Sequence, residues 1–103
     1  MNDPVLGMIG FARKSGNLVV GRSAVENARR RGDLHLVIIA RDASEKLVRG
    51  LTGMSDAPVF RYGDKAQYMQ LLNRDVAVLG ITDRQFAAGV IKKLPPDALI
   101  ATP

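Results

Sequence analysis

The sequence predicts an α/β domain with helices on both faces of a small central sheet. Short apolar runs bounded by Gly, Pro, Asn and Asp recur along the chain, and segments with apolar residues at helical spacing stand between them. The 103 residues match the common size of one domain, and with 47% hydrophobic and 24% charged residues there is material for a buried core. Aromatics are few (Phe11, Phe60, Phe86, Tyr62, Tyr68) and Trp is absent, so that core is expected to be aliphatic. No repeat or linker interrupts the pattern. A single domain over residues 1–103 is expected, with its ordered part at about 4–94 and a patternless tail over 95–103.

Each element has a local reason. Asp3-Pro4 supplies an N-cap and a first helical position, and Val5, Leu6, Met8, Ile9 and Ala12 follow at helical spacing, giving a helix over 4–14. Ser15-Gly16-Asn17 breaks it before a short strand, Leu18-Val19-Val20. Gly21-Arg22-Ser23 opens a second helix with Ala24, Val25 and Ala28 inward. Its end is marked by Arg29-Arg30-Arg31-Gly32, basic residues followed by Gly. Leu36 to Ala40 is an unbroken apolar run, the pattern of a strand covered on both faces. Asp42 to Glu45 supplies caps for a helix through about Leu51. Pro58 to Tyr62 is the third strand, and Gly63-Asp64 caps a helix over roughly 65–73. Val76 to Ile81 is the fourth strand. Thr82-Asp83 caps a last helix over about 84–93, with Phe86, Ala87, Val90, Ile91 and Leu94 inward, and Pro95-Pro96 stops it.

Composition closes several functional classes. There is no cysteine, hence no disulfide, thiolate metal site or cysteine nucleophile. No apolar run approaches bilayer-spanning length, and the Met-Asn-Asp-Pro start does not read as a signal peptide. A cytoplasmic protein with no membrane partner is expected. Gly-x-Gly-x-x-Gly, Walker-type, His-x-x-x-His and Gly-x-Ser-x-Gly patterns are all missing. The one histidine, His35, stands beside a strand start with no carboxylate pair near it, and it reads as a strand-edge residue. Asp42, Asp64 and Asp83 read as helix caps. No catalytic residue, metal ligand or cofactor is expected.

The charge is more informative. Residues 11–31 hold Arg13, Lys14, Arg22, Arg29, Arg30 and Arg31 against Glu26 alone, which equals the +5 excess of the whole chain. A local excess of Lys and Arg is the footprint of a polyanion partner, nucleic acid first. Gly21 at a strand-to-helix turn allows close backbone approach, the helix N-terminus favours phosphate, and Arg22 and Ser23 add donors. Arg29, Arg30 and Arg31 read more simply as dipole-complementing residues in a last turn.

The order of Ile9-Gly10-Phe11-Ala12-Arg13-Lys14-Ser15-Gly16-Asn17-Leu18-Val19-Val20-Gly21, then Leu36 to Ser44, then Val78-Leu79-Gly80-Ile81-Thr82-Asp83 with Phe86-Ala87 after it, resembles the superfamily of ribosomal proteins L-seven-Ae and L-thirty-e. More closely, the chain is similar to its bacterial YlxQ-type branch, associated with the transcription and translation machinery. The resemblance covers about residues 4–94. It implies a three-layer α/β/α sandwich with a small mixed four-stranded sheet. It also implies binding of structured RNA, ribosomal or otherwise folded, typically a kink-turn. Carried over by position, the contacts are Gly21, Arg22, Ser23, Ala24 and Asn27; Arg41 and Asp42; and Arg74, Asp75, Val76 and Ala77, with Arg13 and Lys14 flanking the same end. The family's Gly-x-Asn-Glu with a following Lys is altered, since Ser23, Ala24 and Asn27 stand in place of Asn, Glu and Lys. The groups that read base edges are mostly gone, while those that hold phosphate remain. Val76 and Ala77 also read as plain strand residues. A protein-interaction module of the same fold is the alternative, and an enzyme acting on a phosphorylated small molecule at the Gly21 turn is a remote third.

Overall fold

The computed structural model describes residues 3–53 and 56–102. The chain runs α1 (Pro4–Lys14), β1 (Leu18–Val20), α2 (Arg22–Arg30), β2 (Leu36–Ile39), α3 (Glu45–Thr52), β3 (Val59–Arg61), α4 (Lys65–Leu72), β4 (Val78–Ile81), α5 (Arg84–Lys93), a 3-10 turn (Pro96–Ala98) and β5 (Leu99–Ala101). The five expected helices and four expected strands are present, with ends that move by a residue or two. The helix starts follow the capping chemistry. Asp3 accepts from the N–H groups of Val5 and Leu6, Ser44 from Leu47, Asp64 from Gln67 in a full capping box, and Asp83 from Phe86. Asp42 departs from expectation. It does not cap α3 but accepts the Lys65 N–H at 3.0 Å, tying the turn after β2 to the start of α4.

The sheet is mixed and five-stranded, in the order β1-β4-β2-β3-β5, so the expected count of four is corrected. Only β2 and β3 pair in parallel. The extra strand comes from the tail, which is not patternless in space: Ala101 pairs with Val59 and Leu99 with Phe60, across an irregularity in register. It supplies hydrogen-bond partners to an edge of β3 that is otherwise open.

The core is aliphatic, as expected, with Tyr68 its one large buried aromatic besides Phe60. β2 and β4 are buried along their whole length. α1 packs on α4 and α5, and α2 on β1 and β4. The closest approach is at Gly80 in β4. A Cβ there would lie 2.6 Å from Leu34 Cδ1 and 2.8 Å from Val19 Cγ2, and Val25 of α2 is next at 3.4 Å. The missing side chain lets α2 and Leu34 sit down on the sheet.

Candidate nucleic-acid interface

Register gives the sheet two distinct ends. β4 is antiparallel to both β1 and β2, so Val20 pairs with Leu79 and Ile39 with Val78 at one end, while Leu18 and Leu36 both pair with Ile81 at the other. The first end gathers the turns that follow β1, β2 and β3 and the loop that precedes β4. The Gly21 N–H donates to the Val78 carbonyl at 3.0 Å, Ala40 N–H to Ala77 at 2.9 Å, and Arg41 N–H to Gly63 at 2.8 Å. Gly21, Arg22, Ser23, Arg41, Asp42, Arg74 and Asp75, far apart in sequence, are thereby brought to one end of the molecule.

At this end α2 begins without a side-chain cap. Its N-cap is Gly21, at φ 93° and ψ 161°, a conformation that L side chains rarely adopt. The other four α-helices each have a side-chain acceptor on their first turn; α2 has none. Among the described residues its first-turn N–H groups, at the positive end of its dipole, have no side-chain acceptor, and Ser23 beside them is exposed. Arg22 is folded back: its Nε donates to Glu26 Oε2 at 3.1 Å, and its guanidinium lies against Gly50 of α3, where a Cβ would be 2.8 Å from Nη2. Arg41 and Arg74 are exposed and carry no ion pair among the described residues. Asn27 is exposed one turn further along α2 and accepts from Arg30.

Below these turns lies a small polar frame. Arg61 donates to the Arg41 carbonyl at 2.5 Å and pairs with Glu45 at 3.8 Å, holding the turn after β2. The Tyr62 hydroxyl donates to Asp3 at 2.7 Å, fastening the start of α1, and the buried Tyr68 hydroxyl donates to the Tyr62 carbonyl. Burial first, and then the hydrogen bond to the Asp3 carboxylate, push the Tyr62 phenol up to about 12; burial raises that of Tyr68 as well.

Two expectations about the site are corrected. Val76 is 3% exposed and belongs to the core, so its side chain is not offered at the surface of this end. Nor does it belong to β4, which begins at Val78. Arg13 and Lys14 do not flank the Gly21 end. The Asn17 carbonyl accepts from Thr82 N–H at 2.9 Å and Asn17 N–H donates to Ala12, which fixes the end of α1 beside the far end of β4. α2 carries Arg29, Arg30 and Arg31 to that far end too. There Arg29 pairs with Asp56 at 3.9 Å and Arg31 with Asp33 at 3.2 Å, in keeping with the simpler reading of these arginines. Sequence reasoning missed Gly50 and Arg61. A glycine inside a helix was the one available signal for Gly50, because it marks a close approach by something else.

No family model matches the chain. The RNA-binding protein YlxQ of Enterococcus faecium is 29% identical over 85 residues, covering 80% of this chain and 82% of that protein. The Giardia lamblia 15.5kD RNA-binding protein shares the fold at a TM-score of 0.64, with 20% identity over 90% of this chain and 89% of its own. These likenesses support the resemblance to the L-seven-Ae and L-thirty-e superfamily. A protein of unknown function from Bacillus halodurans has this fold too, at a TM-score of 0.77 and 23% identity, covering 89% of this chain and 97% of that one. Among the described residues, no helix is long and apolar enough to cross a membrane. No group of three or more His, Asp or Glu is assembled there to hold a metal.

Proposed function

We propose that this chain is a non-enzymatic binder of structured RNA, acting in the cytoplasm in or beside the translation and transcription machinery. The interface is the end of the sheet that carries Gly21, Arg22, Ser23, Arg41 and Arg74, with Asn27 at its margin. The observation that carries the reading is the uncapped start of α2, set among exposed arginines from two other loops. Open N–H groups and guanidinium groups at one end suit phosphate oxygens, and structured RNA is recognised largely by backbone and shape. The names of the Enterococcus and Giardia relatives support RNA as the polyanion. Helix layers on both faces of the sheet, α2 and α3 on one side and α1, α4 and α5 on the other, complete the sandwich; the approach of Arg22 to Gly50 and the packing of α1 on α4 and α5 support it.

Kink-turn recognition is weakened in this reading, because Ser23, Ala24 and Asn27 lack the length and charge of Asn, Glu and Lys. A mobility-shift titration at two salt concentrations, with a kink-turn RNA and a plain duplex of equal length, tests both parts. Salt-sensitive binding to both with little preference is the expected result. A strong kink-turn preference overturns the loss of specificity. Binding to neither RNA at low salt overturns the RNA reading and leaves the protein-interaction module.

A further inference from the structure

The far end of the molecule has a feature that the Gly21 interface does not use. Phe11, on the outer face of α1, is 62% exposed, the most exposed large apolar side chain among the described residues. Its ring stands 6.0 Å from that of Phe86, tilted by 32°, so α5 props one side of it. Beside it runs an open groove between α1 and α4, lined by Gly7, Gly10, Phe11, Arg13, Lys14 and Leu71. The groove exists because two residues of α1 lack side chains. A Cβ at Gly7 would meet nothing within 4 Å, and one at Gly10 would approach Leu71 Cδ1 at 3.3 Å. Arg13 and Lys14 close the groove at the helix end, both exposed and, among the described residues, without an ion pair. Arg84 opens α5 at this same end, also exposed and without an ion pair there. No carboxylate lines the groove.

We propose that this groove is a second nucleic-acid contact, which takes an unpaired nucleotide with its base stacked on Phe11 and its flanking phosphates on Arg13 and Lys14. The inference rests on the RNA reading above and adds a separate contact at the opposite end. Charge decides the polyanion, and size decides its form. The apolar part of the groove is one ring and one leucine, which fits a single base. An amphipathic helix would need several anchors in a row. An exposed aromatic with cations beside it is the common arrangement by which proteins hold single-stranded nucleic acid with little regard to sequence. The folded part of the RNA is held at the Gly21 end, and a single-stranded extension reaches along α1, whose 11 residues span about 16 Å.

The test compares a blunt RNA hairpin with the same hairpin carrying an unpaired oligouridine tail, titrated by fluorescence anisotropy at one salt concentration. The tail is expected to tighten binding of the unaltered protein about tenfold, the effect of roughly one stacked base. Phe11→Ala should lose that gain and keep its affinity for the blunt hairpin, while Phe11→Tyr should keep both. Arg13→Ala with Lys14→Ala leaves the Phe11–Phe86 packing alone and should also lose the gain. A tail that adds nothing, with the blunt hairpin bound, overturns this inference and spares the RNA reading. Failure to bind either RNA overturns both. An acidic leucine-bearing peptide that binds through Phe11, with no response to the tail, assigns the groove to a protein and also overturns the inference.

Discussion

A methyl group added at Gly80 has no room. It would meet the ends of Leu34, Val19 and Val25 at 2.6, 2.8 and 3.4 Å, all apolar branches in or against the packed core. These are not mobile surface tips, so relief requires shifted rotamers or a lifted α2. Gly80→Ala is therefore expected to destabilise by about 1–3 kcal/mol, as overpacked cores do. In a domain of this size each kcal/mol lowers the melting temperature by about 4–8 °C. Thermal unfolding followed by circular dichroism checks it, and an unchanged melting temperature would contradict the packing described. The tyrosine pair makes a second prediction. The Tyr62 phenol is raised to about 12 and that of Tyr68 is raised too, against an ordinary value of 10.0. Above pH 10 the unfolded chain releases protons that the fold still holds, so the unfolding free energy falls as pH rises. Stability should be flat in this respect below pH 10 and decline between about 10 and 12. The decline should be smaller in Tyr62→Phe. Urea unfolding at several alkaline pH values reads it. Neither effect is visible in the sequence, where Gly80 is one glycine in an apolar run and Tyr62 stands 59 residues from Asp3.

Among the elements, the helices were the legible part. Asp3, Ser44, Asp64 and Asp83 announce their starts because a side-chain acceptor two or three residues before an apolar repeat has a local purpose. β5 was not legible. Three residues after a Pro-Pro stop carry no period, and Leu99 and Ile100 stay exposed even when paired, so nothing about Leu99–Ala101 except the open edge of β3 makes it a strand. Val76 misled for a related reason. It is apolar and adjoins an apolar strand, but Asn73 at φ 57° turns the chain so that it drops into the core before the ladder begins. α3 carries the prediction at this scale. Gly50 lies inside a helix, where Ala is better by about 1 kcal/mol. The atom in its way is the far end of Arg22, which can swing aside at little cost. Gly50→Ala should thus raise the melting temperature by a few degrees. It should also free Arg22 from its place on α3 and alter affinity for structured RNA. A stability gain with no change in RNA affinity would indicate that the position of Arg22 does not matter to binding.

For the whole molecule, the question is where the charge lies. Six basic residues within 11–31 account for the excess, yet only Arg22 is at the Gly21 end. α2 has nine residues and a length of about 13 Å, and it runs from one end of the sheet to the other. Neighbours in sequence become residents of opposite ends, which linear charge counting cannot foresee. The partners differ as well. Arg29 and Arg31 face Asp56 and Asp33, and Arg30 is held by Asn27, whereas Arg41 and Arg74 have no ion pair among the described residues. Exposed ion pairs contribute little to stability, but an arginine already neutralised releases fewer counterions from RNA. Each phosphate contact adds about 0.7–0.9 to the slope of log affinity against log salt. Joint replacement of Arg22, Arg41 and Arg74 by Ala should lower that slope by about two for a blunt structured RNA. Joint replacement of Arg29, Arg30 and Arg31 should lower it by less than about one. The two triple variants carry the same net charge, so a general field effect predicts equal losses and a local interface predicts unequal ones. A larger loss from the second triple would move the principal interface to the C-terminal end of α2.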